Sequence, residues 1–221
     1  MQFSAATINM LKEGTWQTIY MVFMSSVISY LIGIPLGIAL MVTDKDGIRP
    51  VPLFNKVLGL AINLLRSVPF LILMIMVIPF TRLVVGKIIG PNAAVVPLII
   101  AAAPYIGRMV ESSLKEVDAG VVEAAQSMGA STWQIIWKVL LPEAKPSLLV
   151  GAAISITTIL GYSAMAGAVG AGGLGDIAIR YGYHRYQTDM MFVTVVLLVI
   201  IVQLIQEVFM RMSRKSDKRV R

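Results

Sequence analysis

The sequence contains no cysteine and only one histidine. Disulfide bonds, thiolate metal sites and c-type haem attachment are therefore excluded, and no metal centre is expected. Charged residues are also scarce, at 14% of the chain, whereas hydrophobic residues make up 57% and the mean hydropathy is +0.80. These values lie well outside the range of an ordinary soluble domain, so the composition predicts an integral membrane protein.

Several long segments carry no charge, and each is close to the length of about 20 residues that a helix needs to cross the hydrocarbon core. The segments are continuous and rich in Leu, Ile, Val, Ala and Met, whereas strands of membrane barrels are short and alternate in hydrophobicity. We therefore predict an all-α membrane protein whose residues 1–221 form one transmembrane domain. The first segment is too long for a signal peptide, so we expect it to remain as a span. The five predicted spans are 16–43, 57–81, 88–107, 146–166 and 188–209.

Five spans put the two ends of the chain on opposite sides, and the distribution of Lys and Arg decides which end is cytoplasmic. Most basic residues lie in the connection after the first span, in residues 108–145 and in the C-terminal tail. We therefore expect the N-terminus outside, the C-terminus in the cytoplasm and residues 108–145 as the longest cytoplasmic connection. The net charge of +7 reflects mainly the basic tail beside an anionic leaflet, so no nucleic-acid partner is expected.

One stretch of this connection, EAAQSMGASTWQIIWKVLLPEA at residues 123–144, is amphipathic rather than uniformly apolar. Gly129 suits a left-handed cap at the end of a short helix. Ser131 and Gln134 have the S-x-x-Q spacing of a capping box, which predicts that a second helix begins there. Two short helices would then meet at an elbow of small residues, Gly129 and Ala130.

Pro142 and Pro146 are expected to end the second helix, because an interior proline removes a backbone donor. The elbow could then insert into a groove of a partner, since small residues allow close approach. The helical pattern alone is explained at least as well by two helices that lie on the membrane surface and link two spans.

The same stretch resembles a known signature. The segments EAAQSMGA, STWQIIWKV and LLP, at residues 123–142, resemble in order and spacing the cytoplasmic signature loop of ABC importer permeases. This resemblance implies the type I ABC importer permease fold and a loop that docks onto an ATP-binding subunit; we refer to residues 108–145 as the coupling loop. The implied coupling residues are Glu123, Ala124, Ala125, Gly129, Ala130, Ser131 and Pro142.

Two further segments, RSVPF at residues 66–70 and GYSAMAGAVGAGGLGD at residues 161–176, are similar to the methionine-uptake permeases among these importers. This resemblance implies a methionine importer of the cytoplasmic (inner) membrane that contains two copies of the chain, two ABC ATPase subunits and an external substrate-binding lipoprotein. The sequence has no G-x-x-x-x-G-K-[ST] motif and hence no P-loop. We therefore expect the chain itself to be no enzyme and to bind no cofactor, with ATP and Mg²⁺ held by the ATPase subunits.

Three alternatives remain at this stage. The same importer class could carry another amino acid or a short methionine-containing peptide, because the external binding protein largely selects the cargo. A secondary transporter normally keeps acidic or histidine side chains within its spans, and the charge-free runs of this chain hold none. A membrane scaffold could dock an ATPase without supporting any flux.

Gly170, Gly172 and Gly175 spell G-x-G-x-x-G, a pattern associated with dinucleotide binding. That function needs a preceding buried strand in a soluble βαβ unit, whereas this pattern follows a membrane span. Together with Gly173, these glycines are expected either to allow close helix packing or to form a gate near the outer mouth. The preceding span offers three polar or polarizable residues for a translocation path: Tyr162, Ser163 and Met165.

Arg66 is the only charged residue well inside a predicted span, and charge within a membrane is costly enough to suggest a role. It belongs to a polar stripe on one helix face, with Asn55, Lys56 and Asn63. In one explanation the helix starts obliquely and Arg66 reaches back to water, so that Ser67 to Pro69 mark the point where the chain enters the membrane. In the other, Arg66 lines a water-filled vestibule or the interface with a second copy.

Overall fold

The structure is a computed structural model that describes residues 4–217. All regular secondary structure in that range is helical, which confirms the predicted all-α class. The α-helices are α1 (Ala5–Thr43), α2 (Pro52–Ser67), α3 (Phe70–Met76), α4 (Ile78–Val85), α5 (Pro91–Lys115), α6 (Ala119–Ser127), α7 (Thr132–Ile135), α8 (Leu141–Ala166), α9 (Gly173–Ile177) and α10 (Thr188–Ser216). Between these helices lie two π-helical segments, Ile136–Leu140 and Ala178–Tyr183, and a 3₁₀ turn, Gly167–Val169.

Four helices of the described chain are long and apolar enough to cross a membrane: α1, α5, the continuous helix Thr132–Val169, and α10. They overlap four of the expected spans. The remaining span, expected over 57–81, is not one straight helix, because α2 and α3 differ in direction by 101°. The break falls at Val68 and Pro69, since proline has no N–H to donate and disfavours helical backbone in the residue before it. The bent pair counts as a fifth span only if its two arms are taken together.

The prolines expected to end the second loop helix instead lie inside one continuous helix, so that expectation is wrong. Ile136–Leu140 is wound as a π-helix directly before Pro142, and Pro146 lies within α8. A π turn shifts the backbone hydrogen bonds by one residue, which accommodates a proline that lacks its own N–H. The coupling loop is therefore joined to the following span by a helix and not by a turn.

The described residues group into two compact units. The first comprises residues up to Ile28, Val68–Ala102 and Ile156–Gln206, and its fully buried side chains include Met21, Leu73, Leu98, Ile159 and Leu174. The second comprises Ser29–Ser67, Ala103–Ser155 and residues from Glu207 onward, and its fully buried side chains include Leu40, Ile106, Leu114, Ile135 and Leu140.

Within the second unit, glycines of α1 allow it to pack closely against α5. A Cβ atom on Gly33 would lie 2.6 Å from the Cγ2 atom of Ile106, and a Cβ atom on Gly37 would lie 2.6 Å from the carbonyl oxygen of Gly107. Small residues spaced four apart let helices approach in a membrane, where there is no hydrophobic drive between them. This contact fixes the position of α5, whose last residues begin the coupling loop.

Candidate functional site

The coupling loop is built around α6 and a left-handed residue that ends it. The Asp118 carboxylate caps the start of α6 by accepting a hydrogen bond of 2.7 Å from the second N–H of the helix. At the other end, Gly129 has a φ of 77°. The N–H groups of Gly129 and Ala130 donate back to the carbonyls of Gln126, at 2.9 Å, and Ala125, at 3.1 Å. These paired bonds are typical of a left-handed helix end, so the cap expected at Gly129 is confirmed.

The next helix begins immediately after the elbow, through the capping box expected at Ser131. The Ser131 N–H donates to the side-chain oxygen of Gln134 at 2.8 Å, and the Gln134 N–H donates to the Ser131 hydroxyl at 3.3 Å. Each side chain thus satisfies a backbone donor that the first helical turn leaves unpaired. Two capped helices therefore hold the elbow in one geometry.

Most of α6 and the elbow is open to a partner. Ala125 is the one buried residue of α6, while Glu123, Ala124 and Gly129 are exposed. Large apolar side chains are exposed beside them, with exposed fractions of 82% for Met128, 66% for Trp133 and 52% for Trp137. An exposed apolar patch with two tryptophans is typical of a protein interface. We did not anticipate these three side chains as site residues, although the spacing of the tryptophans, four residues apart in STWQIIW, could have indicated a shared helix face.

A chain of ionic contacts in the second unit ties the coupling loop to neighbouring helices. The Lys115 Nζ atom lies 2.6 Å from an Asp44 oxygen and 2.8 Å from a Glu111 oxygen. Glu111 is buried and its other oxygen lies 2.7 Å from Arg108, which also donates to the Gly59 carbonyl at 3.1 Å. The hydrogen bond from Lys115 lowers the pKa of the Asp44 carboxyl below its usual value. The network thus links α5 to α2 and to the residues that follow α1.

The glycine segment lies in the first unit, where it separates α8 from α9. Gly170, Gly172 and Gly173 have φ values of 84°, 81° and 80°, a conformation that residues with side chains rarely adopt. The Gly173 N–H donates to the Gln17 side-chain oxygen at 2.8 Å, and the N–H of the next residue donates to the Thr18 hydroxyl at 2.9 Å. The segment is therefore a break between helices that α1 holds in place.

Gly175 has a different role from these three glycines. A Cβ atom there would lie 2.3 Å from the carbonyl oxygen of Ala164, so Gly175 permits close packing of α9 on α8. A helix and a 3₁₀ turn precede the glycine segment, which is inconsistent with the strand that a dinucleotide site requires. Among residues 4–217, no group of His, Asp and Glu side chains could hold a metal ion.

The other candidate path residues lie in different surroundings. In the second unit, the Arg66 guanidinium carbon lies 5.7 Å from the centre of the Tyr105 ring, and the Ser67 hydroxyl donates to a backbone carbonyl of its own helix. In the first unit, Tyr162 stacks on Phe70 with ring centres 4.7 Å apart. Beside Tyr162, Ser163 is buried and donates to the Leu160 carbonyl, whereas Met165 is half exposed. Pro69 lies at the break between α2 and α3.

Comparisons with known proteins agree with these features. The family described as binding-protein-dependent transport system inner membrane component matches residues 33–221. The probable D-methionine transport system permease protein MetI of Vibrio cholerae is 51% identical over 99% of this chain and 97% of that protein. The methionine import system permease protein MetP of Bacillus subtilis is 42% identical over 98% of each chain.

Among solved structures, an inward-facing form of the MetNI methionine ABC transporter matches with a TM-score of 0.96 at 45% identity. The match covers 98% of this chain and 100% of that chain, so the type I ABC permease fold is shared over almost the entire length. The chain therefore belongs to the family of inner-membrane components of binding-protein-dependent transport systems.

Proposed function

We propose that the chain is the membrane subunit of an ATP-driven importer that moves methionine across the inner membrane by alternating access. The observation that carries this proposal is full-length similarity to permeases whose names specify methionine transport, at 51% and 42% identity. The bent α2–α3 pair and the glycine break after α8 are irregular backbone of the kind that membrane proteins keep where it is covered by protein or lines a cavity. An importer that carries another amino acid or a methionine-containing peptide is the alternative.

The working complex would contain two copies of this chain, two ABC ATPase subunits and an external substrate-binding lipoprotein. The similar solved structure is that of an ABC transporter, and this sequence has no P-loop of its own. Lys and Arg are more numerous in the connection after α1, the coupling loop and the C-terminal tail taken together than in the other connections, which supports a cytoplasmic location for these three, with the N-terminus outside. ATP and Mg²⁺ would be bound by the ATPase subunits.

The elbow is the part of the coupling loop best suited to receive motion from the ATPase. Small residues at Gly129 and Ala130 allow a partner to approach closely, and the two helix caps keep their backbone in one conformation. Met128 and Trp133, which flank the elbow, supply exposed apolar area for docking. The helix that follows the elbow, α7, is the first part of the continuous helix Thr132–Val169, which is long enough to span the membrane. A displacement of the elbow would therefore be transmitted along that helix.

At the outer end of the transport path, the glycine segment Gly170 to Gly173 would act as a gate. Gln17 and Thr18 hold its backbone N–H groups, so movement of α1 would change the position of the segment. Tyr162 and Met165, which are partly exposed on α8, would line the path between this gate and the cytoplasm.

Uptake in cells that lack the chain and in cells to which it has been restored tests this function. Radiolabelled L-methionine and D-methionine would be supplied, with other amino acids as competitors and with ATP depletion as the energy control. Restored, ATP-dependent methionine uptake is expected. Restoration of uptake for another amino acid alone would reject methionine as cargo, and absence of any flux despite an intact complex with the ATPase would favour the scaffold alternative.

A further inference from the structure

An ion pair ties the start of the coupling loop to the segment that follows α1. Lys115 is the last residue of α5, and α6 begins shortly afterwards at Ala119. The Lys115 Nζ atom lies 2.6 Å from a carboxylate oxygen of Asp44, the residue directly after the end of α1. A displacement of α6 therefore acts first on a residue that is also bonded to the end of α1.

Asp44 belongs to a turn of fixed geometry and not to a loose loop. Three backbone hydrogen bonds, each of 3.0 Å, close the turn, with N–H groups in residues 47–51 donating to carbonyls in residues 42–44. The Asp44 carboxylate also accepts a hydrogen bond of 2.7 Å from the N–H of Lys45. Because both the backbone and the carboxylate are held, a force on Lys115 would pass to α1 and would not be absorbed by the turn.

Glu111 connects this ion pair to α2. Its side chain is only 9% exposed, and its two oxygens lie 2.8 Å from Lys115 and 2.7 Å from Arg108. Arg108 in turn donates to the Gly59 carbonyl of α2 at 3.1 Å. A buried carboxylate that loses a partner keeps an uncompensated charge, so separation of Glu111 from either cation is costly. The centre of the network is therefore firm, and Asp44 is its more exposed end.

The Lys115–Asp44 contact differs from the other ion pairs of residues 4–217. Each of the others joins residues no more than four positions apart, whereas this one joins α5 to the segment after α1. A hydrogen bond of 3.0 Å from the Ser147 hydroxyl to the Ser113 hydroxyl also links α8 to α5 in the same unit. Polar contacts thus hold the segments on both sides of the coupling loop to one another and to the end of α1.

We propose that Asp44, through Lys115, positions the coupling loop so that the end of α1 moves with the loop when the ATPase displaces it. This inference rests on the proposed import function and adds a residue outside the signature at 123–142. Asp44 is a positioning residue, since it acts through Lys115. Coupling between distant sites is carried by elements that are bonded together and move together. Without this ion pair, ATP would be hydrolysed with less transport.

The test uses the complete complex, with its ATPase subunits and external binding protein, reconstituted in lipid vesicles. Uptake of radiolabelled L-methionine and ATP hydrolysis are measured on the same vesicles, below the melting temperature of every variant, and their ratio is the readout. Asp44→Asn should lower this ratio by about threefold or more, which is within the range by which single residues alter coupling.

Asp46→Asn is the matched control. Asp46 lies in the same turn, but its side chain is 84% exposed and its ion pair, at 3.6 Å, is with the adjacent Lys45. An exposed ion pair between neighbours contributes little and joins no separate segments. Asp46→Asn should therefore leave the ratio of uptake to ATP hydrolysis unchanged.

Two further variants restore the link in different ways. Asp44→Glu keeps the carboxylate and should retain most of the ratio that Asp44→Asn loses. Because the chain has no cysteine, Asp44→Cys and Lys115→Cys can be combined and joined by a short bis-maleimide before the ATPase subunits are added. The cross-linked double variant should recover the ratio, whereas the same variant without the reagent should not.

Each remaining outcome has a definite meaning. An unchanged ratio in Asp44→Asn would overturn the proposal while leaving the import function intact, and an equal fall in Asp46→Asn would also overturn it. A ratio that stays low in the cross-linked variant would show that the link between the two segments is not what matters, and would refute the proposal. Loss of the ATPase subunits from the Asp44→Asn complex, seen by native mass spectrometry, would assign Asp44 to assembly and refute it as well. Absence of methionine uptake by the original complex would reject the proposed function, and this inference with it.

Discussion

The role of the elbow can be tested at Gly129 with a matched control at Gly86. Both glycines follow a helix in left-handed backbone, with φ values of 77° and 75°. A Cβ atom built on either glycine has no neighbour within 4 Å, so a substitution causes no clash at either position. The cost is then that of left-handed backbone in a residue with a side chain, roughly 1–2 kcal/mol. Valine should lie at the upper end of that range, because it is β-branched.

The two positions should differ in their effect on coupling. If the elbow docks onto the ATPase, the coupling loop of the Gly129→Val variant must adopt the docked conformation despite the strain of left-handed backbone at residue 129. A cost of about 1–2 kcal/mol corresponds to docking that is weaker by a factor of about 5–30. Gly86→Val should carry a similar strain, with a similar fall in melting temperature, and should leave docking unchanged.

Both variants would be purified, placed in lipid nanodiscs and titrated with the ATPase subunit, with ATP hydrolysis as the measure of docking. Gly129→Val should need a severalfold higher ATPase concentration for half-maximal stimulation, whereas Gly86→Val should match the original. Normal stimulation by Gly129→Val would refute the docking role of the elbow. An equal loss in Gly86→Val would show that general strain, and not the elbow, reduces coupling.

Three further predictions concern Glu123, Gly37 and Asp44. Glu123 is exposed on α6, so Glu123→Lys should weaken recovery of the ATPase in a pull-down without lowering the melting temperature; unchanged recovery would contradict its role in docking. Gly37→Leu places a Cβ atom 2.6 Å from the α5 backbone and should destabilise the protein by about 1–3 kcal/mol, seen as a lower melting temperature; an unchanged value would show that the helices can separate without cost. The hydrogen bond from Lys115 lowers the pKa of the Asp44 carboxyl. The ionised carboxylate therefore contributes fully to stability above the ordinary carboxyl pKa of about 3.9. That contribution is lost as the pH falls through the lower pKa of the folded state. The difference in melting temperature between the original and Asp44→Asn should therefore shrink from pH 7 toward pH 3, and a difference that grows instead would contradict this assignment.

The sequence by itself determined the features that depend on composition or on neighbours along the chain. Long apolar runs are sufficient to predict membrane helices, because the bilayer excludes other ways of pairing the backbone. The cap at Gly129 and the capping box at Ser131 were also predictable, since each involves hydrogen bonds between residues no more than five apart. The signature of the coupling loop is likewise a fixed spacing of residues along the chain, in residues 123–142, and so can be recognised without the fold.

Proline shows where local rules stop being sufficient. Pro69 breaks the second span, but the bend of 101° depends on what surrounds each arm and cannot be read from the residues. Pro142 breaks nothing, because the preceding π-helical segment accommodates it and the helix continues into a span. The same residue type thus has opposite effects, which are decided by packing and not by propensity.

Only the tertiary structure revealed the contacts between residues that are distant in the sequence. Gln17 holds the backbone of Gly173, 156 residues away, and Lys115 joins Asp44 to the end of α5. The contact of Arg66 with the Tyr105 ring on another helix became apparent only in the structure. Such contacts leave no periodic or spacing signal in one sequence, because what brings the partners together is the packing of whole helices.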